Sequence, residues 1–145
     1  MNKALEIIKH HEGFRSKPYK LTYKTAEGKQ VSEDFYTIGY GFRVDYLELD
    51  EDIAEMILVR KIHKLEHNLA KKYDWYDDLP DMVKCGVVSI AYQIGLTAFS
   101  KFKKTIAFLT DSKWADAAEE CLDSRWANQT PNRAKEVSQL IRNGQ

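Results

Sequence analysis

The sequence predicts an α+β fold that is mostly helical, with a small N-terminal lobe around a β-hairpin or small sheet, a long connecting helix, and an all-helical C-terminal lobe. Three observations predict it. Residues 19–42 are rich in Thr, Tyr, Val and Phe, and Glu27-Gly28 supplies a turn, which is typical of a hairpin. An apolar stripe of helical period follows in residues 51–72, and several shorter helical patterns occupy residues 82–141.

Length and composition fit one small globular protein. The chain has 145 residues, of which 43% are apolar and 12% aromatic, enough for one core shared by two lobes. We expect one domain over 1–145, with an N-terminal lobe at about 12–50, a connecting helix at about 51–72, and a C-terminal lobe at about 73–145 that also includes the helix at 2–11. A monomer is the expected state.

Charge and targeting signals exclude several classes of function. The formal net charge is zero and no basic stripe occurs, so attraction to nucleic acid or to an anionic membrane is not expected. The N-terminus is too charged for a signal peptide, and no apolar run reaches membrane-spanning length. Cys85 and Cys121 fall in helical patterns without a partner His, which predicts buried free thiols of a reducing compartment. We expect a protein that starts in the cytoplasm.

The N-terminal lobe begins with a helix from Asn2 to His11, with Ala4, Leu5 and Ile8 on one face. Glu12 follows, and Gly13 breaks the helix beside it. After the hairpin, the segment from Thr37 to Phe42 reads as a strand with two internal glycines, which mark a close approach of backbone or ligand.

The remaining elements are helices. Asp50 is predicted to cap the long helix, whose inward stripe is Ile53, Ile57, Leu58, Ile62, Leu65 and Leu69. Pro80 suits the first turn of a helix over Met82–Ile94, which is apolar nearly all round and is expected at the centre of the C-terminal lobe. Further helices are predicted at about 98–109 and 112–122, and a last one begins at Pro131 after Thr130 as its N-cap and stops at Asn143-Gly144.

Glu12 is the leading candidate for chemistry. A carboxylate at a helix terminus, facing a strand flat enough to receive a substrate, is how a glycosidase presents its proton donor. A lone Glu at a helix end is usually just solvated. The glycine-containing strand that follows Glu12 favours the functional interpretation.

Several segments resemble the phage lysozymes, the endolysins of glycoside hydrolase family twenty-four, and in particular the lysozymes of T-even-type phages. They are His11–Arg15 with Pro18–Lys20 behind it, Thr37–Gly41, Tyr92–Gly95 and, most specific, Ser124–Lys135. The similarity covers nearly the whole chain in order. It implies a muramidase that cuts peptidoglycan between N-acetylmuramic acid and N-acetylglucosamine in a cleft between the lobes, without metal or organic cofactor. It also implies an enzyme that waits in the host cytoplasm until a membrane pore admits it to the wall.

The resemblance also implies roles for single residues. Glu12 matches the general acid, and Thr37 matches the hydroxyl that helps to place the attacking water of an inverting reaction. Arg133 matches an arginine that reaches back to the acid; a purely structural ion pair is the alternative. Matches to residues that touch glycan or its peptide stem, with Tyr92 offering an aromatic edge, are Tyr92, Gln93 and Arg125. The alternatives are Tyr92 in the core and Arg125 as a surface cation, and Trp114 and Trp126 are expected in the core.

One position departs from the family. Relatives place an Asp, sometimes a Cys, in the first hairpin strand with eight residues between it and the acid, and Leu21 stands there. The hairpin is also longer than usual and holds Glu27, Glu33 and Asp34. We hypothesise that Asp34, or failing that Glu33, replaces the missing carboxylate. The rival interpretations are an enzyme in which Glu12 and Thr37 suffice, and a catalytically silent peptidoglycan-binding protein.

His63 and His67 have a spacing that can chelate a divalent metal. They lie opposite the inward position Leu65, so both are expected to face solvent, and without a third ligand no physiological metal site is predicted.

Overall fold

The computed structural model describes residues 2–144 and confirms the α+β, mostly helical fold. The chain forms two compact units, one up to Ile53 and one from Ala54 onward. The first unit contains the first helix and every strand of the described chain. The assignment of the helix at 2–11 to the C-terminal lobe stays a prediction.

The first helix, α1, spans Lys3–Glu12, so Glu12 is its last residue. The side chain of Asn2 caps it by accepting a hydrogen bond from the backbone N–H of Ala4 at 3.0 Å. Gly13 ends it with φ of 67° and donates its N–H to the carbonyl of Lys9. No residue of α1 is buried.

Five short strands follow as β1 (Arg15–Tyr19), β2 (Thr22–Lys24), β3 (Gln30–Ser32), β4 (Thr37–Gly39) and β5 (Phe42–Arg43). An antiparallel three-stranded sheet has the order β1-β4-β5, and β2 and β3 form a separate antiparallel hairpin. The predicted turn carries Gly28 with φ of 81°, a conformation that glycine adopts without a steric penalty. A short 3₁₀ turn, Val44–Tyr46, closes the segment.

The second unit is helical. The long helix α2 (Glu51–Lys72) has the predicted bounds and crosses from the first unit into the second. It is followed by α3 (Asp81–Ile94), α4 (Leu96–Phe99), α5 (Lys103–Thr110), α6 (Trp114–Leu122), α7 (Arg125–Gln129) and α8 (Pro131–Arg142). None of the helices within residues 2–144 combines the length and apolar character needed to cross a membrane.

The core of the second unit surrounds α3, as predicted from its apolar surface. The buried residues of this helix are Val83, Gly86, Val87, Ile90 and Ala91. They pack with Leu69 of α2, Phe99 of α4 and Ile141 of α8. Only Leu69 of the predicted α2 stripe is buried, whereas Ile53, Ile57 and Leu58 are about 40% exposed.

Other predictions are wrong in detail. The predicted helix at 98–109 is two helices, α4 and α5, because the chain turns at Ser100–Phe102. Thr130 occupies the predicted N-cap position of α8, with Pro131 as the first helical residue, but its hydroxyl makes no capping bond and donates instead to the carbonyl of Trp126. Pro80 precedes the first helical residue of α3. Cys121 is buried as predicted, whereas Cys85 is exposed; both are free thiols.

Candidate active site

The carboxylate of Glu12 lies directly over the turn that joins β4 to β5. A Cβ atom built on Gly41 would stand 2.5 Å from Oε2 of Glu12 and 2.9 Å from its Cδ. Gly41 has φ of 76°, a region that residues with a side chain rarely adopt. Glycine is therefore required at position 41 for two reasons. The turn needs a positive φ there, and the Glu12 carboxylate occupies the space that a side chain would fill.

Aromatic contacts connect the same turn to the end of α1. The rings of Tyr40 and Phe14 have centroids 5.5 Å apart, and Nζ of Lys9 lies 5.7 Å from the centre of the Tyr40 ring. These contacts hold Tyr40, which precedes Gly41, against the segment that carries Glu12. The predicted pairing of a helix-terminal acid with a glycine-containing strand is present in the first unit.

Thr37 begins β4 and is 5% exposed. It lies opposite Tyr19 of β1 and Arg43 of β5, so it occupies the central strand of the three-stranded sheet. Two neighbouring strands thus fix the backbone of Thr37.

Arg43 of β5 contacts three residues that flank the three-stranded sheet in the sequence. Its guanidinium carbon lies 3.8 Å from the ring centre of Phe35 and 4.5 Å from that of Tyr46. Its Nη2 approaches Oδ2 of Asp45 at 3.5 Å. Because Arg43 pairs with Thr37, this stacking stabilises the strand partner of Thr37. This role of Arg43 could not be predicted from the sequence, since it depends on two aromatic residues brought together by the fold.

The three candidate carboxylates of the hairpin differ in their exposure to solvent. Glu27 is exposed at the turn, and Asp34 is exposed beyond β3. Glu33 is half-buried, and its backbone N–H donates to the carbonyl of Leu21 at 2.9 Å. Leu21, which stands at the family's acid position, is 47% exposed. The replacement of the missing acid by Asp34 stays a prediction.

In the second unit, Tyr92 and Arg133 line one groove of about 590 Å³. The groove is mostly apolar, with Leu58, Ile62 and Val88 in its lining. Tyr92 is 46% exposed, so the alternative that it belongs to the core is wrong.

Arg133 is oriented by α3. Its Nη2 donates to the carbonyl oxygen of Ser89 at 3.0 Å and to the Ser89 hydroxyl at 3.2 Å. These acceptors are uncharged, so the pair is a hydrogen-bonded bridge between α8 and α3. The predicted contact of Arg133 with the acid stays a prediction.

The other two predicted substrate residues lie around α7. Gln93, on α3, accepts a hydrogen bond from the indole N–H of Trp126 at 2.8 Å. Trp126 is 5% exposed and belongs to the core, as predicted, and Trp114 packs partly buried against that core. Arg125 is the exposed first residue of α7, whose cap is the Ser124 hydroxyl bonded to the N–H of Ala127.

His63 and His67 are both exposed, as predicted. Within residues 2–144, no group of three or more His, Cys, Asp or Glu side chains is arranged to hold a metal ion.

Comparisons with known proteins agree with the resemblance. The profile of the family described as Phage lysozyme matches residues 9–143. A protein of Dictyostelium discoideum named "Probable T4-type lysozyme 1" is 24% identical, over 96% of this chain and 93% of its own length. Another from the same organism, "Probable T4-type lysozyme 2", is 35% identical over 48% of this chain and 41% of its own length.

Proposed function

This chain belongs to the phage lysozyme family and is a lysozyme-type glycoside hydrolase, and we propose that it hydrolyses the β-1,4 bond between N-acetylmuramic acid and N-acetylglucosamine with inversion. The observation that carries the proposal is the position of the Glu12 carboxylate over Gly41, at the turn that follows the Thr37 strand.

The proposed mechanism divides the reaction between two residues of the first unit. Glu12 protonates the leaving glycosidic oxygen as positive charge develops on the sugar. Such an acid must keep its proton near neutral pH, which burial against a bound sugar favours. Thr37 helps to place the water that attacks the opposite face of the sugar.

The second unit supplies the proposed substrate contacts. Tyr92 offers an exposed ring to a sugar face, and Gln93 and Arg125 offer donors to the glycan or its peptide stem. Arg133, fixed on Ser89, lines the same groove as Tyr92. The sugar contacts are thus proposed on α3, α7 and α8.

The test is the release of new reducing ends from purified peptidoglycan. We expect the Glu12→Gln variant to lose at least about 100-fold in turnover, because general acid catalysis contributes about 10² to 10⁴. Glu6→Gln is the matched control, since Glu6 is an exposed acid on the same helix, and it should keep wild-type turnover. A Glu12→Gln variant as active as wild type would contradict the proposal.

A second candidate is a catalytically silent protein that binds peptidoglycan. It is favoured by Leu21, an apolar and half-exposed residue at the position of a family acid. Sedimentation of the protein with purified sacculi, without release of reducing ends, would support this candidate.

For the biological setting we propose lysis of a bacterial host by enzyme that is held in the cytoplasm until the membrane is opened. This part rests on the phage family alone, and both named relatives come from Dictyostelium discoideum. Expression in a bacterium should leave culture turbidity unchanged until the inner membrane is permeabilised, and lysis should then follow only with active Glu12. Lysis before permeabilisation would contradict the cytoplasmic retention.

A further inference from the structure

We infer that Glu33 is the second carboxylate of the site and that it holds the attacking water. The inference rests on the proposed function, because a water-activating carboxylate has a role only in a hydrolase. The inference assigns a catalytic role to a residue of the lengthened hairpin, in which Leu21 replaces the acid of the family.

The strand register places Glu33 directly opposite Leu21, the position at which this chain lacks the acid of its family. In the β2–β3 hairpin Thr22 lies opposite Ser32 and Tyr23 lies opposite Val31. One step further back, the 2.9 Å bond from the Glu33 N–H to the Leu21 carbonyl continues the ladder. Directly opposed residues project from the same face with Cβ atoms about 5 Å apart. Glu33 therefore projects from the same face as Leu21, which stands where the resemblance places the acid of the family.

The same register separates Glu33 from Asp34. Adjacent residues of an extended chain point to opposite faces. Val31 and Glu33 are half-buried, whereas Ser32 and Asp34 are exposed. The face that carries Val31 and Glu33 also carries Leu21 and Tyr23, which are 47% and 53% exposed, so this face is partly covered. Asp34 is on the opposite, more open face.

One oxygen atom of the Glu33 carboxylate accepts no hydrogen bond from the described residues. Its Oε2 is shielded from solvent, and no group in residues 2–144 donates a hydrogen bond to it. A shielded carboxylate oxygen costs free energy unless a donor reaches it. A water molecule is a donor of suitable size, and it is the second reactant of a hydrolysis.

The step balances with the two carboxyl groups alone. The water oxygen forms a bond to the anomeric carbon while Glu33 takes one of its protons. The bond from that carbon to the leaving oxygen breaks, and the leaving oxygen takes the proton of Glu12. Glu33 ends protonated and Glu12 ends ionised, and exchange with solvent restores both. This is the acid and base pair of an inverting glycosidase.

The test compares Glu33→Gln with Glu27→Gln, which removes an exposed carboxylate at the turn of the same hairpin. We expect Glu33→Gln to lower kcat at least about 100-fold with little change in KM, and Glu27→Gln to stay within about twofold of wild type because it leaves the water-activating base in place. The acidic limb of the pH–rate profile should disappear in Glu33→Gln, since that limb reports ionisation of the base. Adding Leu21→Asp to the Glu33→Gln variant should recover at least about tenfold, because the opposed position offers a carboxylate on the same face.

Each outcome bears on a separate claim. Active wild type and inactive Glu12→Gln, together with a fully active Glu33→Gln, would overturn the role of Glu33 and leave the proposed function standing. An equal loss in Glu27→Gln would also overturn it, because removal of any hairpin carboxylate would then have the same effect. No activity in the wild type would overturn the proposed function first. Circular dichroism and urea unfolding check that each variant folds, and Glu33→Asp, which keeps a shorter carboxylate, should retain the acidic limb.

Discussion

At the scale of single residues, Gly41 decides where the acid stands. A methyl group at position 41 meets Oε2 of Glu12 at 2.5 Å, and the carboxylate must move because it is the flexible partner. A displacement of about 1 Å can cost about 100-fold in rate. We expect Gly41→Ala to lower turnover of peptidoglycan by about that factor while the free energy of unfolding falls by only about 1–2 kcal/mol, the cost of positive φ.

Gly28→Ala is the matched control for this prediction. Gly28 has φ of 81°, close to the 76° of Gly41, but a Cβ built on it meets nothing within 4 Å. Both variants should therefore lose similar stability in urea titrations, and only Gly41→Ala should lose activity. Equal activity in the two variants would mean that the acid is not held where the structure places it.

Tyr76 is a second residue with a measurable signature. Its side chain is 3% exposed, and its hydroxyl has no hydrogen-bond partner in the described chain. Replacement by Phe should leave the stability near neutral pH unchanged or raise it by up to about 1 kcal/mol, because an unpaired buried hydroxyl is removed. Urea titration at pH 7 measures the difference.

Tyr76 also makes the free energy of unfolding depend on pH in the alkaline range. Burial, with smaller contributions from the charges of Glu66, Asp77 and Cys85, raises the pKa of Tyr76 from 10.0 to about 12. Above pH 10 the unfolded chain loses this proton first, so the contribution of Tyr76 is complete below pH 10 and is lost as pH rises toward 12. Wild type should lose more stability than Tyr76→Phe across that window. Parallel loss in both would show that Tyr76 ionises normally.

At the scale of elements, α3 and α8 pack closely because α3 has no side chain at position 86. A Cβ on Gly86 would stand 2.7 Å from Cγ1 of Ile141, which is fully buried and cannot give way. Ala would gain about 1 kcal/mol in helix propensity, whereas overpacking of a core costs about 1–3 kcal/mol. We expect Gly86→Ala to destabilise by up to about 2 kcal/mol net. Cys85→Ala, at the exposed neighbouring position, should change the free energy of unfolding by less than about 0.5 kcal/mol.

Helical periodicity in the sequence correctly predicted buried positions in two helices. The stripe of α8, Ala134, Val137 and Ile141, is buried as predicted, and α3 has the predicted centre. The break between α4 and α5 was missed because no Gly or Pro marks Ser100–Phe102. The chain turns there through backbone hydrogen bonds and the packing of Phe99 against Phe102, which only the fold brings about.

The site was predictable to a similar extent. The sequence pointed to Glu12 through Gly13 and the glycine-containing strand, and to Thr37 through the family resemblance, and their catalytic roles stay predictions. Arg43 was missed because its partners Phe35 and Tyr46 are ordinary aromatic residues until the fold stacks them on it. Glu33 and Asp34 are adjacent, so only the strand register distinguishes them.

At the scale of the whole molecule, buried apolar side chains are unevenly distributed. Among residues 2–144, every buried apolar residue lies at or beyond Leu69, and Thr37 is the one buried residue that the described part of the first unit contains. Regions with few buried apolar contacts open locally at lower free energy than a packed core does. The first unit should therefore open more readily than the second, and it carries both Glu12 and Thr37.

Native-state hydrogen exchange measures this difference directly. We expect backbone amides of β1, β4 and β5 to exchange through openings that cost less free energy than global unfolding, and amides of α3 and α8 to exchange only with global unfolding. A soluble fragment of peptidoglycan that binds the wild type should slow exchange in the strands as well as in α3, because a ligand that binds only the folded site stabilises it against local opening and against global unfolding. The variant Gly86→Ala provides the internal control: it should lower the protection of α3 and α8 and leave that of the strands unchanged. Equal protection in both units would show that the strands, and the acid held over them, are as rigid as the helical core.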